Sequence, residues 1–308
     1  MSASAGPASA PRVAPAQVVV GTTEGLTVVG SGHELDGREV SGLAPGPHGW
    51  WAVVDGTLWH GEPGQGWEEV AGLADQPVRC VLAAGGQVLV GTAGAGLHRL
   101  EDGGLAPVVG FEQAPTRERW HTPWGGPPDT RSLASADGAW YVNVHVGGIL
   151  RSHDGGATWQ PTIDLHTDVH QVEVSDGEVL AATGVEGLAV SRDRGATWTT
   201  HTHGLHASYA RAVATADGTV LLSASTGPGG GRGALYRRPL AGDEPFVRCD
   251  AGPGWFSGNI DTHCLAATHA TVAFGTATGD VFVSEDGGVR WQPAAAGLAR
   301  VRCVAVTV

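Results

Sequence analysis

The sequence predicts an all-β protein, a β-propeller of seven blades, and three observations lead to this prediction. First, one turn with the frame Ser-x-Asp-x-Gly-x-x-Trp occurs three times, at Ser152–Trp159, Ser191–Trp198 and Ser284–Trp291. Second, short segments of alternating apolar and polar residues return at intervals of roughly 40–50 residues, the spacing of propeller blades. Third, residues 17–41 supply only about half of such a unit, and residues 301–308 supply its missing first strand.

The composition agrees with one large β domain. The chain has 308 residues, of which 49 are glycine and only 16% are charged, and this favours many turns and short strands. No segment approaches the roughly 20 apolar residues of a membrane helix. Residues 1–16 are small and proline-rich, without a basic start or an apolar centre, so we expect a disordered tail rather than a secretion signal. Residues 17–308 then form a single propeller domain.

Charge and cysteine content restrict the possible functions. The net charge of −13 argues against a general nucleic-acid binder, and the absence of lysine excludes Schiff-base chemistry and a Walker-type phosphate loop. There is no Cys-x-x-Cys pair, so we expect buried thiols and a reducing, cytoplasmic location. Separately, we expect the protein to be a monomer. The four cysteines are Cys80, Cys249, Cys264 and Cys303.

The individual units follow the same order of strands and turns. Runs at 81–100, 172–191 and 265–284 each have two β-rich segments, a tight turn and a further strand. Degenerate copies of the turn occur at 60–67 and 100–107, and residues 210–246 have the strand pattern without the aspartate turn. Six blades are the alternative, should residues 17–41 not pair with the C-terminal strand.

The repeated turn resembles the Asp-box, or BNR, repeat of sialidases, sortilin-type receptors, xyloglucan hydrolases and the photosystem II assembly factor family. The resemblance covers most of residues 17–308. It implies that each box joins the third and fourth strands of a blade and that the tryptophan packs between blades. It also implies that the aspartate accepts backbone N–H bonds within its turn, so we expect Asp154, Asp193 and Asp286 to be structural rather than catalytic.

The resemblance to sialidases ends at the repeat. Those enzymes have a Phe/Tyr-Arg-Ile-Pro segment and a tyrosine nucleophile paired with a glutamate, and this chain lacks the segment. Its three tyrosines are Tyr141, Tyr209 and Tyr236. Tyr209 lies near Arg211, but no glutamate follows in register, and no carboxylate pair of the kind that glycosidases use is evident.

A ring of basic residues is predicted at one mouth of the central channel. When the residue that opens the first strand of each unit is aligned, every position is arginine or histidine. We interpret this ring as an anion or metal site, and pairing with carbonyls or carboxylates of the next blade is the alternative. The seven residues are His48, Arg79, Arg131, His170, Arg211, His263 and Arg302.

Histidines on the same face suggest a transition-metal site. His145, His170 and His263 come from different blades and are the best trio, with His48 or His121 as a fourth candidate. Imidazole is the commonest ligand for zinc, copper, iron and nickel. A divalent metal (Zn, Cu, Fe, Mn or Ni) is therefore a candidate cofactor.

The longest interruption of the repeat, residues 111–130, is interpreted as a lid over this face, and a surface insertion is the alternative. It would bring the aromatic walls Trp120 and Trp124 and the catalytic candidate His121 to the channel mouth. The loop at 224–234 is glycine-rich, but it lacks lysine and a following helix and is a weak phosphate-loop candidate.

The sequence is compatible with three functions. The first is an enzyme, a metal-assisted lyase or hydrolase, in which the arginines hold a small anionic substrate and Tyr209 or a histidine moves the proton. The second is an assembly module that docks an acidic protein partner on its arginines, without turnover. The third is a carbohydrate-active, sialidase-like enzyme.

Overall fold

Seven four-stranded antiparallel sheets form the computed structural model, which describes residues 16–122 and 125–307. The innermost strand of each sheet contacts the innermost strands of the two neighbouring sheets, so the seven sheets close into a ring around a channel. The prediction of a seven-bladed propeller is confirmed. The expected tail falls on residues outside the described ranges except at residue 16.

The blades follow one another along the chain, each running from the channel outwards. The first three contain β1 (Gln17–Thr22), β2 (Gly25–Val28) and β3 (Gly32–Glu34); β4 (Val40–Gly46), β5 (Gly49–Val54), β6 (Thr57–Glu62) and β7 (Gly66–Ala71); and β8 (Val78–Ala84), β9 (Gln87–Thr92), β10 (Leu97–Glu101) and β11 (Gly104–Pro107). The next two contain β12 (Asp129–Ala136), β13 (Ala139–His145), β14 (Gly148–Ser152) and β15 (Gln160–Pro161); and β16 (Val169–Ser175), β17 (Glu178–Thr183), β18 (Gly187–Ser191) and β19 (Thr199–His201). The last two contain β20 (Tyr209–Ala216), β21 (Thr219–Ser225), β22 (Ala234–Pro239) and β23 (Val247–Arg248); and β24 (Leu265–Thr268), β25 (Thr271–Gly275), β26 (Val281–Ser284) and β27 (Gln292–Ala295).

The C-terminal strand closes the ring. β28 (Val301–Thr307) pairs antiparallel with β1 and becomes the innermost strand of the first blade. The register places Gln17 opposite Thr307 and Gly21 opposite Cys303. The predicted closure is confirmed, and the six-blade alternative is wrong. Such closure leaves no sheet edge unpaired at the junction of the two chain ends.

The three copied turns lie between the third and fourth strands of their blades, as expected. In the first, Asp154 Oδ1 accepts bonds from Ser152 Oγ (2.8 Å) and the Thr158 N–H (2.9 Å), and Ser152 Oγ accepts one from the Gly156 N–H. The turns around Asp193 and Asp286 repeat this arrangement. The carboxylates are thus used within their own turns.

A β-bulge recurs at the channel end of the innermost strands. At this point the strand carries one or two residues that have no partner in the second strand, and a bulge of this kind redirects a side chain. Six of the seven inner strands have it. The unpaired residues are Ser41, Arg79, Arg131, His170, Arg211 with Ala212, and Arg302.

At two blade boundaries a cysteine directly after the bulge contacts the next blade. Cys80 Sγ contacts the Thr130 carbonyl oxygen at 3.5 Å, and Cys303 Sγ contacts that of Val40 at the same distance. All four cysteines are buried and free of disulfides. Burial raises the pKa of Cys80 and of Cys303 to about 12, so these thiols stay protonated and act as small core groups.

The interruption of the repeat is packed into the protein rather than folded over the channel. It contains a short helix, α1 (Val109–Glu112), and one 3-10 turn (Arg117–Arg119). Phe111 is fully buried and its ring centroid lies 5.3 Å from that of Trp120, within one hydrophobic cluster. Of the residues 111–130 that we expected as a lid, Asp129 is the one described residue that lines the cavity. Among the described residues, none of the helices has the length and apolarity needed to cross a membrane.

Candidate functional site

A cavity of about 910 Å³ occupies the mouth of the channel, on the side where the bulges lie. All six bulged strands contribute to its wall. Its charged residues and histidines are Glu39, Asp55, Arg79, Asp129, Arg131, His145, Asp168, His170, Arg211, Asp261, His263 and Arg302. Six of the seven residues predicted for the ring are therefore brought together here.

His48 is the exception, and its placement was wrong. The segment that begins at His48 is the second strand of its blade, so His48 lies in the turn between β4 and β5, far along the chain from the bulge. Ser41 occupies the equivalent bulge position of this blade. β4 and β5 have similar apolar patterns, and the sequence-based prediction therefore assigned β5 as the first strand of this blade.

The arginines of the ring are paired with carboxylates, which corrects the expected concentration of positive charge. Arg302 Nε lies 2.8 Å from Glu39 Oε1, and Arg79 Nε lies 3.3 Å from an oxygen of Asp129. Arg211 Nη1 donates to Asp261 Oδ1 at 2.7 Å. The cavity wall has four arginines and five carboxylates, so positive charge does not predominate.

These pairs follow one rule. The arginine is the bulge residue of the preceding blade, and Glu39 and Asp129 lie two residues before the bulge of their own blade. Asp261 lies two residues before His263, in the one blade whose inner strand has no bulge. Three blade boundaries show the pair, at Arg302 with Glu39, Arg79 with Asp129 and Arg211 with Asp261. The spacing acidic-x-basic at 129–131, 168–170 and 261–263 is visible in the sequence and could have revealed the carboxylates.

Asp168 is the fourth carboxylate of this series, and it meets two imidazoles instead of an arginine side chain. His145 Nε2, at the end of β13, lies 2.9 Å from Asp168 Oδ1, and His170 Nε2 lies 3.4 Å from Asp168 Oδ2. One potential ligand atom from each of the three residues can be chosen so that all lie within 4.8 Å of one another. The structure brings His145 and His170 together, as the sequence predicted, and adds Asp168, which was not predicted from the sequence.

His170 is held in a defined orientation. Its Nδ1 lies 2.6 Å from the Ala210 carbonyl oxygen, which can only accept, so Nδ1 carries the proton. Burial lowers the pKa of His170, and the side chain is almost inaccessible. The ring is therefore neutral, with the Nε2 lone pair turned to the side of Asp168.

Asp168 is ionised and incompletely satisfied. Burial acts to raise its pKa, but the two imidazoles that face it outweigh this effect and hold the pKa well below its ordinary value. Its Oδ1 is buried and receives no well-directed hydrogen bond from any described residue, although His145 Nε2 is so close. A buried carboxylate oxygen of this kind has a lone pair for a cation.

Tyr209 lies directly beside His170, with the two ring centroids 5.0 Å apart. Its hydroxyl is 3.3 Å from His170 Nε2 and accepts a bond from Arg211 Nη2 at 3.2 Å. Arg211 also stacks on the Tyr209 ring, with its guanidinium carbon 5.4 Å from the centroid. The hydroxyl is thus within reach of His170 Nε2 for proton transfer.

His263 belongs to the floor of the cavity rather than to this group. Its Nε2 bonds the Arg131 carbonyl oxygen at 2.9 Å, on the other side of the ring, and its backbone N–H donates to Gln171 Oε1. The backbone at His263 has the left-handed φ of 63°, unusual for a residue other than glycine. His263 thus crosses the channel and does not join His145 and His170.

The remaining predicted residues lie elsewhere. His121 is exposed, and its Nδ1 contacts the Arg119 carbonyl oxygen rather than the cavity. Trp120 is buried against the turn that follows β13, close to Gly147. Trp124 lies outside the described residues.

Comparison with known proteins identifies the architecture. No protein-family model matches the chain. No curated protein matches it either. Among solved structures it is similar to the computationally designed Ika8 protein, with 16% identity, a TM-score of 0.59, and coverage of 92% of this chain and 85% of that one. It is also similar to YCF48 bound to D1 peptide, with 19% identity, a TM-score of 0.58, and coverage of 92% and 87%. The GH74 xyloglucanase from Xanthomonas campestris shows 16% identity and a TM-score of 0.58, and the match covers 91% of this chain but 47% of that enzyme.

These likenesses show a β-propeller. Their identities are low, and one of the matching proteins is a design, so they extend to the fold and not to an activity. The function has to be argued from the site.

Proposed function

We propose that the channel mouth is a site for a divalent transition metal, held by His145, Asp168 and His170, next to a pocket for a small anionic ligand. We further propose that the protein is a metal-assisted lyase or hydrolase. One observation carries the proposal: Asp168 departs from the rule that pairs each such carboxylate with an arginine of the preceding blade. Two imidazoles take the arginine's place.

The three residues fit a metal in their chemistry. Two neutral imidazoles and one carboxylate are the ligand set of many iron, zinc and manganese sites. A ligating histidine normally donates its other ring N–H to a carbonyl, as His170 does to Ala210. The buried lone pair on Asp168 Oδ1 supports the same conclusion.

A metal bound here would act as a Lewis acid or lower the pKa of a water molecule. The protein's own residues would bind and orient the ligand. Arg79 and Arg302 contact their carboxylates through Nε, which leaves their terminal nitrogens to hold a carboxylate or phosphate group. Tyr209 is the proposed proton carrier, because its hydroxyl lies beside His170 and is held by Arg211.

A non-catalytic assembly module is the second candidate. The similarity to a structure named as YCF48 bound to D1 peptide favours it, since that protein of the same fold binds a peptide. In this case the arginines of the channel mouth would dock an acidic partner and no metal would be needed.

A glycosidase finds less support at the channel mouth. Such an enzyme needs one carboxyl group that stays protonated, and this requires a raised pKa. Burial acts to raise the pKa of Asp261, but Arg211 and Arg131 outweigh it and lower the pKa, and Asp168 is lowered as well. Both carboxylates are therefore ionised.

The proposal is tested by metal binding to untagged protein. We expect isothermal titration and elemental analysis to show about one Zn, Fe, Mn, Cu or Ni per chain. His145→Ala, Asp168→Ala and His170→Ala should each weaken the affinity at least about tenfold. His269→Ala, which changes an exposed histidine away from the cavity, is the matched control. If the wild type binds none of these metals and its Tm does not change on their addition, the metal site is rejected and the assembly module is favoured.

A further inference from the structure

A cluster of aromatic and basic residues lies on the sixth blade, outside the site described above. We call it the Trp255 cluster; it consists of His206, Arg232, Tyr236, Arg248 and Trp255. The guanidinium carbons of Arg232 and Arg248 lie 4.4 and 4.6 Å from the Trp255 ring centroid. The His206 ring lies 4.6 Å from the same ring, and its Nδ1 is 2.7 Å from the Tyr236 hydroxyl.

The glycine-rich loop that follows β21 holds Arg232 in place. Gly233 exchanges two backbone hydrogen bonds with Phe256, at 2.9 and 2.8 Å, and the Gly231 N–H donates to the Ser257 carbonyl oxygen. A side chain at Gly233 would overlap with the Gly258 carbonyl oxygen, so this close approach requires glycine. Arg232 itself has a left-handed φ of 50° between two glycines. The loop is thus built to present Arg232 beside Trp255.

Arg232 and Arg248 have N–H groups that are available to a ligand. In a chain with net charge −13, none of the ion pairs between described residues involves Arg232 or Arg248. Arg248 Nη1 donates to the Gly254 carbonyl oxygen at 3.0 Å, which anchors one edge. Contact with an aromatic face immobilises a guanidinium without using its N–H groups. Both side chains are therefore ordered and ready to bind an anionic group.

The charge of the neighbouring histidine supports this interpretation. Burial lowers the pKa of His206, and the positive charges of Arg232 and Arg248 lower it further. His206 is therefore neutral and acts as an aromatic wall. The positive charge of the cluster is confined to the two arginines, both of which are exposed.

We propose that the Trp255 cluster binds an acidic peptide segment of a partner protein. Tryptophan, tyrosine and arginine are the residues that dominate binding energy at protein interfaces. The two arginines are surface residues that do not line the channel-mouth cavity, whereas small-molecule sites are concave. Nucleic acid is disfavoured because the chain as a whole is strongly acidic. Acidic side chains of a peptide satisfy both guanidinium groups while its apolar residues contact the half-buried rings of Trp255 and His206; Tyr236 is buried and supports His206.

Selection from a random-peptide display library on the immobilised full chain tests the proposal. We expect the selected peptides to be enriched in Asp and Glu. We also expect a selected peptide, fluorescently labelled, to lose affinity at least about tenfold with Arg232→Ala or Arg248→Ala, because each removes a charge-assisted contact. Replacing its acidic residues with Gln and Asn should abolish binding to the wild type.

Controls make the outcome decisive. Arg290→Ala changes an arginine whose side chain is 89% exposed, next to Asp286 in a copied turn, and should leave peptide affinity unchanged. Circular dichroism and Tm verify that each variant is folded. Selected peptides without acidic enrichment, equal binding by Arg232→Ala and Arg248→Ala, or tighter binding of a single-stranded oligonucleotide to the same residues would each overturn the proposal. The metal-binding measurements on His145, Asp168 and His170 are independent of this result.

Discussion

Asp168 can stand between His145 and His170 because residue 184, beside it in the next strand-to-strand turn, is glycine. The Gly184 N–H donates to the Asp168 carbonyl oxygen at 2.8 Å. A Cβ at this position would overlap with Asp168 Oδ2 and come within 3.2 Å of His170 Cε1. The side chain of Asp168 thus occupies the space that any larger residue at 184 would take.

Gly184→Ala is expected to weaken metal binding about as much as Asp168→Asn, at least about tenfold. The added methyl group displaces the carboxylate from the two imidazoles. Isothermal titration of both single variants and of the double variant measures this. The double variant should be no worse than either single one, because both changes act through the same carboxylate.

Gly32→Ala is the control for this experiment. Its Cβ would meet nothing within 4 Å and its φ lies outside the left-handed region, so the variant should bind metal like the wild type. Additive losses in the double variant would show that Gly184 acts by another route than Asp168.

The sequence predicted correctly those cavity residues whose location follows from their position in a strand. It failed for residues whose orientation is set by a contact across the ring. Arg79, Arg131 and His170 line the cavity as expected, because the bulge recurs at one point of the strand pattern. His263 occupies the right position, but a left-handed backbone and a bond to the Arg131 carbonyl take it out of the metal group. Such a contact, between residues far apart in the chain, has no local signal.

At the scale of the strands, one repeated device builds the whole channel mouth. In six of the seven blades the bulge presents a side chain to the cavity, and at three blade boundaries a carboxylate near the start of the inner strand pairs with the bulge arginine of the preceding blade. Neighbouring blades are thus tied together by ion pairs such as Arg79 with Asp129 and Arg302 with Glu39. Since these pairs are partly exposed, each contributes little to stability, and their main effect is to orient the side chains.

The copied turns make a prediction about pH. Bonds from the Thr197 hydroxyl and backbone N–H, and from the Ser191 hydroxyl, lower the pKa of Asp193 from 3.8 to about 2. Because the folded-state pKa is lowered, the carboxylate stabilises the fold above the pKa of the unfolded chain, and this contribution is lost as the pH falls from about 4 to about 2. Asp193→Asn should therefore be less stable than the wild type at neutral pH, and the difference should shrink over this range.

Urea unfolding of both proteins at a series of pH values measures this difference. Asp176→Asn makes the same chemical change in the exposed turn between β16 and β17 and is the matched control. A stability gap between Asp193→Asn and the wild type that persists unchanged at pH 2 would contradict the assigned role of the carboxylate.

At the scale of the whole molecule, the sequence predicted the ring because each blade repeats the same local pattern. The position of the copied turns was implied by the resemblance to the Asp-box repeat, and the seven units and the closing strand were predictable from periodicity. Residues 111–122, which interrupt the repeat, were not. Their placement depends on the burial of Phe111 and Trp120 against blades three and four, and no repeat pattern reports such packing.

The closing strand holds the two ends of the ring together. β28 supplies the inner strand of the first blade, and its contacts with β4 and β24 join that blade to both neighbours. Deletion of residues 301–308 removes this strand and leaves β1 as an unpaired edge. We expect the truncated chain to aggregate or to lose its cooperative thermal transition.

A circular permutant separates the pairing of this strand from its place in the chain. Thr307 lies directly opposite Gln17, so a two-residue Asn-Gly turn can join β28 to β1. The permuted chain then consists of residues 301–307, Asn-Gly and residues 17–300. All pairings are then kept, and the Tm should stay within about 5 °C of the wild type. Folding should be faster, because the closing contact becomes local. A permutant that fails to fold would show that stability depends on where the chain is cut, and not on the completed sheet alone.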